Sequence, residues 1–229
     1  MKKIFPLLVL LILTSCQSYK FENGKWSLIS YDESVGRRVT VIDGADQNSF
    51  VPINNEYAKD GKQVYWETLV IKGADPNTFV CLGQLYAKDK EKVFWREQEI
   101  NGADPDSFQI VDGANLWSKD KKDFYFGEDP LHVVDVASFK IINKGWAKDG
   151  KAYYAVPLFK KVRKVEVGKV DCDYPTMKIL SEGYAVDKNH AYYGNIQIES
   201  ADIKTFQAKG YFSAKDKYRK YFLGEDAGW

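Results

Sequence analysis

Val186-Asp187-Lys188-Asn189-His190-Ala191-Tyr192-Tyr193 sets a turn aspartate between two short apolar stretches and closes on an aromatic pair. An Asp at such a place accepts a local amide hydrogen bond, and β-branched and aromatic neighbours favour strands, so the stretch reads as a hairpin. The same reading fits Tyr57-Ala58-Lys59-Asp60 with Val64-Tyr65-Trp66, joined through Asp60-Gly61-Lys62. Turn aspartates of this kind recur at Asp60, Asp89, Asp120, Asp149, Asp187 and Asp216.

Each hairpin is preceded by a second pattern, Asp-x-x-Ser/Thr-apolar. Its copies are Asp46-Ser49-Phe50, Asp75-Thr78-Phe79, Asp104-Ser107-Phe108, Asp135-Ser138-Phe139, Asp173-Thr176-Met177 and Asp202-Thr205-Phe206. From the apolar residue to the turn aspartate the offset is 10 in five units and 12 in the unit that starts at Asp104. In Gly73-Ala74-Asp75-Pro76 the aspartate suits an N-cap and the proline a first helical position, so a single helical turn is expected, with the hydroxyl reaching back to the cap amide. Segments such as Thr68 to Ile71 and Val80 to Leu82 supply further strands. The fold expected is all-β, a tandem array of about 29-residue hairpin or meander repeats with single helical turns; a closed, propeller-like arrangement of the same units is the alternative. The units lie near 46–66, 75–95, 104–126, 135–154, 173–193 and 202–222, within a repeat domain 25–229, and Trp26 to Ile42 reads as a degenerate opening unit.

On the motif Val186 to Tyr193 and its tandem recurrence, the chain resembles the DKNYY family of bacterial repeat proteins over Val41 to Gly224. Phe94-Trp95 stands where the family favours Tyr-Tyr, and Phe124-Tyr125-Phe126 replaces the pair in unit three. The resemblance implies a repeat fold and an envelope location, and it carries over no active site.

The address is written at the amino terminus. Lys2 and Lys3 precede an apolar run from Ile4 to Leu13, too short at about 15 Å of helix to span a bilayer, which is the pattern of a signal peptide over 1–15. Leu13-Thr14-Ser15-Cys16 resembles the bacterial lipobox, which implies a diacylglyceryl thioether on Cys16, cleavage just before it and acylation of the new amine. Residues 16–24 then read as a lipidated linker. Two or three acyl chains anchor stably. Gln17 is not the Asp that retains some lipoproteins in the inner membrane, so the cell membrane or, where there are two, the outer membrane is expected, with the chain facing the periplasm or the exterior.

Composition narrows the function classes. The chain has 229 residues, 45% hydrophobic and 28% charged, with 33 Lys+Arg against 32 Asp+Glu, which excludes disorder and a polytopic membrane protein. That balance gives no global attraction for nucleic acid. Aromatics are in excess at 15% of the chain, with six Trp, fifteen Tyr and thirteen Phe. Adjacent aromatics in a strand face opposite ways, so stacking would build two columns, one in the core and one packed on loops or exposed as a platform bearing Trp66, Trp95, Tyr154 and Tyr193. Unit four carries ten extra residues within Ala155 to Val170, where Lys160, Lys161, Arg163 and Lys164 suggest a basic hairpin for lipid headgroups or acidic glycans, or a lysine-protected edge.

Chemistry finds little to hold. Aspartates that recur in every unit are explained by turns and caps, whereas a catalytic pair should be singular. His132 and His190 stand alone, no nucleophile motif, phosphate loop or zinc cluster is found, and no cofactor or metal is expected. Cys81 and Cys172 read as buried or half-buried side chains, with a single bridge open in an oxidising compartment. The expectation is a membrane-anchored, non-enzymatic binding or scaffold module with an envelope protein or glycan as partner. Cell-wall glycan or choline recognition, prompted by Gly145 to Tyr154, and a carboxylate-based hydrolase are the alternatives.

Overall fold

A computed structural model describes residues 18–32, 34–83, 85–111, 116–156 and 166–228. Among these the fold is all-β, with seven small antiparallel sheets in sequence order and no α-helix. The chain divides into two compact units, Met1–Cys81 and Leu82–Trp229.

The first unit opens with a three-stranded sheet, β1 (Ser18–Glu22), β2 (Lys25–Asp32) and β3 (Gly36–Val41), in the order β1-β2-β3. Positions 18–22 of the expected linker are therefore a strand. Asn23 and Gly24 sit at φ 53° and 75° between the paired Glu22 and Lys25, the two-residue turn whose twist suits a hairpin. The opening unit expected at Trp26 to Ile42 falls on β2 and β3, and β1 pairs beside it.

Each of the six later repeats is a four-stranded meander. Repeat 1 runs through Val51–Pro52, Tyr57–Lys59, Val64–Trp66 and Leu69–Val70, and repeat 5 through Lys178–Ile179, Tyr184–Val186, Ala191–Tyr193 and Ile196–Ile198. The central hairpin has one register throughout, as in Ala58↔Tyr65, Ala147↔Tyr154 and Ala185↔Tyr192. In repeat 4 the last strand, Gly168–Lys169, pairs with Tyr154 and Ala155 across the insertion, whose residues 157–165 lie outside the described residues.

In the second unit both faces of the repeat 4 hairpin are buried, because its neighbours cover one each. In the first unit Ala58 and Tyr65 pack with Tyr19, Leu28 and Phe50. In the second, Ala147 and Tyr154 pack back on Trp117 and Phe126 of repeat 3, while Trp146, Tyr153 and Ala155 pack forward on Met177, Ala185 and Tyr192 of repeat 5. Within that unit each cluster joins consecutive repeats and each sheet ends in free edges, so no barrel or propeller closes among its described residues.

The expected helical turns are shorter than a helix. Only Val136–Ser138 and Tyr174–Thr176 form a three-residue 3-10 turn, and the residue after each, Phe139 or Met177, is already extended. The hydroxyl does not reach the cap amide: Ser49 Oγ donates to Asp46 Oδ2 at 2.9 Å and accepts from Gly61 N at 3.0 Å, tying the turn to the following hairpin. The cap role of the aspartate holds at Asp46, whose Oδ1 accepts from Asn48 N, and fails at Asp135 and Asp173, which make no side-chain cap bond. Cys81 and Cys172 are free thiols, so the possible bridge is not formed; burial raises both to about 11.

Candidate functional site: the repeated carboxylate clasp

The most elaborate polar cluster is the one the repeats share. Asp187 is buried at 5% exposure, with Oδ1 accepting from Asn189 N and His190 N, both at 2.7 Å. Its Oδ2 accepts from Tyr192 Oη and from Asp173 N, again at 2.7 Å each. One carboxylate thus fixes its own turn, the aromatic five residues on and the amide that opens the preceding turn. The tyrosine bond recurs at Tyr65 to Asp60, Tyr125 to Asp120, Tyr154 to Asp149 and Tyr221 to Asp216, at 2.6–2.8 Å. Repeat 2 has Phe94 at this position and lacks the hydroxyl. The two extra residues of repeat 3 leave the clasp intact, since Asp104 N still reaches Asp120 Oδ2 at 2.7 Å.

Electrostatics follow the geometry. Burial pushes the Asp187 carboxyl up, but the Tyr192 hydroxyl and the amides of Asp173, Asn189 and His190 together outweigh it and hold the group below its ordinary 3.8. Asp60, Asp120, Asp149 and Asp216 are lowered in the same way. The tyrosines move oppositely: burial and the facing carboxylate raise Tyr65, Tyr125, Tyr154 and Tyr192, and Tyr221 to about 12. A carboxylate with four donors and a phenol kept protonated form a structural joint, with no lone pair or proton poised for transfer.

A second tyrosine pins one repeat to the next. Tyr86 Oη donates to Leu116 O at 2.6 Å, and Tyr184 Oη donates to Phe212 O at 3.0 Å while accepting from Gly224 N at 3.0 Å. In the first unit Tyr19 Oη does the same to Glu56 O at 2.6 Å. Between pin and clasp sits the apolar residue of the turn: Phe108 lies 5.5 Å from Tyr86 and 5.8 Å from Tyr125, and Phe206 lies 6.0 Å from Tyr184 and 5.5 Å from Tyr221.

The candidate surface residues are not brought together. Tyr154 is buried against the preceding repeat and Tyr193 against the following one, and they present no platform. Repeat 4 is moreover out of step: its pair Tyr153-Tyr154 falls one residue early, so Tyr154 belongs to the clasp, and Ala155 stands opposite Trp146. Trp66 and Trp95 are half-buried; the Trp95 ring lies 3.5 Å from where a Cβ on Gly127 would stand, with the Arg96 guanidinium 4.3 Å above it. Cys16, Lys160, Lys161, Arg163 and Lys164 lie outside the described residues.

One carboxylate departs from its repeat equivalents. Asp123 stands where repeats 4 and 5 have Ala152 and His190, is 9% exposed, and lines a surface cavity of about 350 Å³ with His132 and Tyr125. Its oxygens accept from Phe124 N, His132 N and Val133 N at 2.8–2.9 Å, and His132 Nδ1 lies 3.7 Å from Oδ2. The carboxylate serves backbone amides here, and no cluster of three metal-ligating side chains occurs among the described residues. Nor does any described helix reach the length and apolarity needed to cross a membrane.

The sequence model of the DKNYY family matches residues 9–98 and 86–225. No curated protein and no solved structure matches the chain. The matched segments take in every clasp, Asp60 to Tyr65 through Asp216 to Tyr221, so the motif that names the family is the hydrogen-bonded joint described above, and the chain belongs to the DKNYY family.

Proposed function

We propose that the chain is an exported bacterial lipoprotein, held on the cell membrane or outer membrane by acylated Cys16, that acts without catalysis as a binding or scaffold module for an envelope protein or glycan. The observation that carries this reading is the use of the carboxylates: the same residues that could serve as acid and base are engaged in an internal joint in repeat after repeat. Side chains that differ between repeats are then left to supply specificity, as in repeat proteins generally, where the scaffold is shared and insertions map to the binding face. The basic insertion of repeat 4 is the largest such difference. Glycan or choline recognition draws no support from the aromatic pairs of repeats 4 and 5, whose rings are buried between repeats rather than on a surface where a sugar ring or quaternary amine could stack.

The test uses the intact lipidated chain and a variant in which residues 157–166 become Asn-Gly. The pairing Ala155↔Gly168 sets Val156 opposite Val167, so a two-residue turn closes that hairpin as it does in other repeats. Capture from envelope fractions is expected to yield a partner with the intact chain and lose it with the variant. Mass analysis of the amino-terminal peptide is expected to show diacylglyceryl and acyl groups on Cys16.

A further inference from the structure

The leading sheet packs one side on repeat 1 and carries exposed apolar residues on the other. Register puts Tyr19, Leu28 and Thr40 on one side of β1–β3, and Tyr19 and Leu28 on that side pack on Phe50, Ala58 and Tyr65 of repeat 1. The opposite side carries Ile29, Tyr31, Val39 and Val41, on the pairs Ile29↔Val39, Ser27↔Val41 and Tyr31↔Arg37. In repeat 4 the corresponding side is sealed by the preceding repeat, Ala147 and Tyr154 packing on Trp117 and Phe126, whereas β1–β3 is the first sheet among the described residues. Tyr31, Val39 and Val41 are 53%, 45% and 39% exposed, while Ile29 and Ser27 at the middle of that side are buried.

Two further facts choose what covers this face. Only Gln17 separates Cys16 from β1, so the acylated residue and the sheet are at most about 7 Å apart along the chain. Lys20, Lys25 and Arg37 share the apolar side, against the single acid Glu22, which is ion-paired to Arg37. Apolar and aromatic side chains ringed by cations, beside a lipid tether, match the surface of a bilayer with anionic headgroups. We propose that the outer face of β1–β3 rests on the anionic phospholipid surface in which Cys16 is anchored, so that the first unit meets the membrane through its leading sheet. This rests on the lipoprotein reading above and adds the docking face.

The experiment takes the mature lipidated chain, with Cys81→Ser and Cys172→Ser, in vesicles of phosphatidylcholine and phosphatidylglycerol. Val39→Cys on the proposed face and Leu69→Cys, 50% exposed in repeat 1, are labelled with a water-soluble maleimide. Labelling at position 39 is expected to be at least fivefold slower than at 69, and the difference is expected to vanish when Lys25 and Arg37 are both replaced by Glu. Hydrogen exchange over 36–41 in the otherwise unaltered chain gives the same reading should Val39→Cys fail to fold. Equal labelling on a chain whose amino terminus is acylated overturns the docking alone, whereas an unacylated terminus overturns the anchor and the docking with it. Protection that grows with protein density at fixed lipid assigns the face to a second copy and also overturns the proposal.

Discussion

A carboxylate as covered as Asp187 would ordinarily hold its proton, yet four donors converge on it and keep it charged. Removing one donor measures the joint: Tyr192→Phe leaves the ring's packing and takes away a bond to a charged acceptor, at about 2 kcal/mol, read as a lower urea midpoint with unchanged slope. Protonation does the same to many joints together. Because Asp60, Asp120, Asp149, Asp187 and Asp216 sit below the ordinary 3.8 when folded, the stability they add is complete above that value. It is lost as pH falls further and the folded-state groups take up protons. The tyrosine side has the opposite sign: the Tyr221 hydroxyl, raised to about 12, contributes fully below pH 10 and loses its contribution as pH climbs towards 12. The urea midpoint is thus expected to be level from about pH 5 to 9 and to drop below pH 4; a midpoint unchanged down to pH 2 would sink the idea that these carboxylates hold the fold.

At the scale of the element, close approach decides which residues are tolerated. A Cβ on Gly145 would stand 1.8 Å from Glu182 O, and one on Gly183 2.2 Å from Tyr211 O, in each case the backbone of the following repeat. Gly183→Ala is therefore expected to force repeats 5 and 6 apart at more than about 2 kcal/mol, with near-ultraviolet dichroism of the packed tyrosines falling alongside the melting temperature. Gly24→Ala, at φ 75° in an exposed two-residue turn where an added Cβ would meet nothing within 4 Å, is the contrasting case and is expected to cost only about 1 kcal/mol. What the sequence made legible here were the short-range devices. Turn aspartates, repeat period and strands follow from hydrogen-bonding residues at fixed spacing, and Asn23-Gly24 carries a hairpin signal that a linker assignment overlooks. The clasp's long arm was not legible, because nothing in the composition of Asp173 says that its amide is answered by a carboxylate 14 residues later. The one-residue shift of Tyr153-Tyr154 was legible but overlooked, since that pair begins four residues after Asp149 where Tyr65, Tyr192 and Tyr221 stand five after their turn aspartates.

Within the second unit the buried clusters join consecutive repeats, and this fixes how that unit should come apart. Phe206 joins Tyr184 of repeat 5 to Tyr221 of repeat 6, and Ser213 stands where repeats 2 to 5 have Tyr86, Trp117, Trp146 and Tyr184. Repeat 6 therefore receives a pin from repeat 5 and has no aromatic of its own at the pin position. Stability in such an array is a sum of repeat and nearest-neighbour terms, so damage should spread by adjacency rather than trigger global unfolding. Phe206→Ala, at about 3 kcal/mol for a buried aromatic, is expected to speed amide exchange over 202–226 most, to reach 184–198 less, and to leave 86–126 at its original rate. The gradient is the informative part: a uniform rise would mean that the repeats fold as one block, and the joint between neighbours would then be a detail of packing rather than the unit from which the protein is assembled.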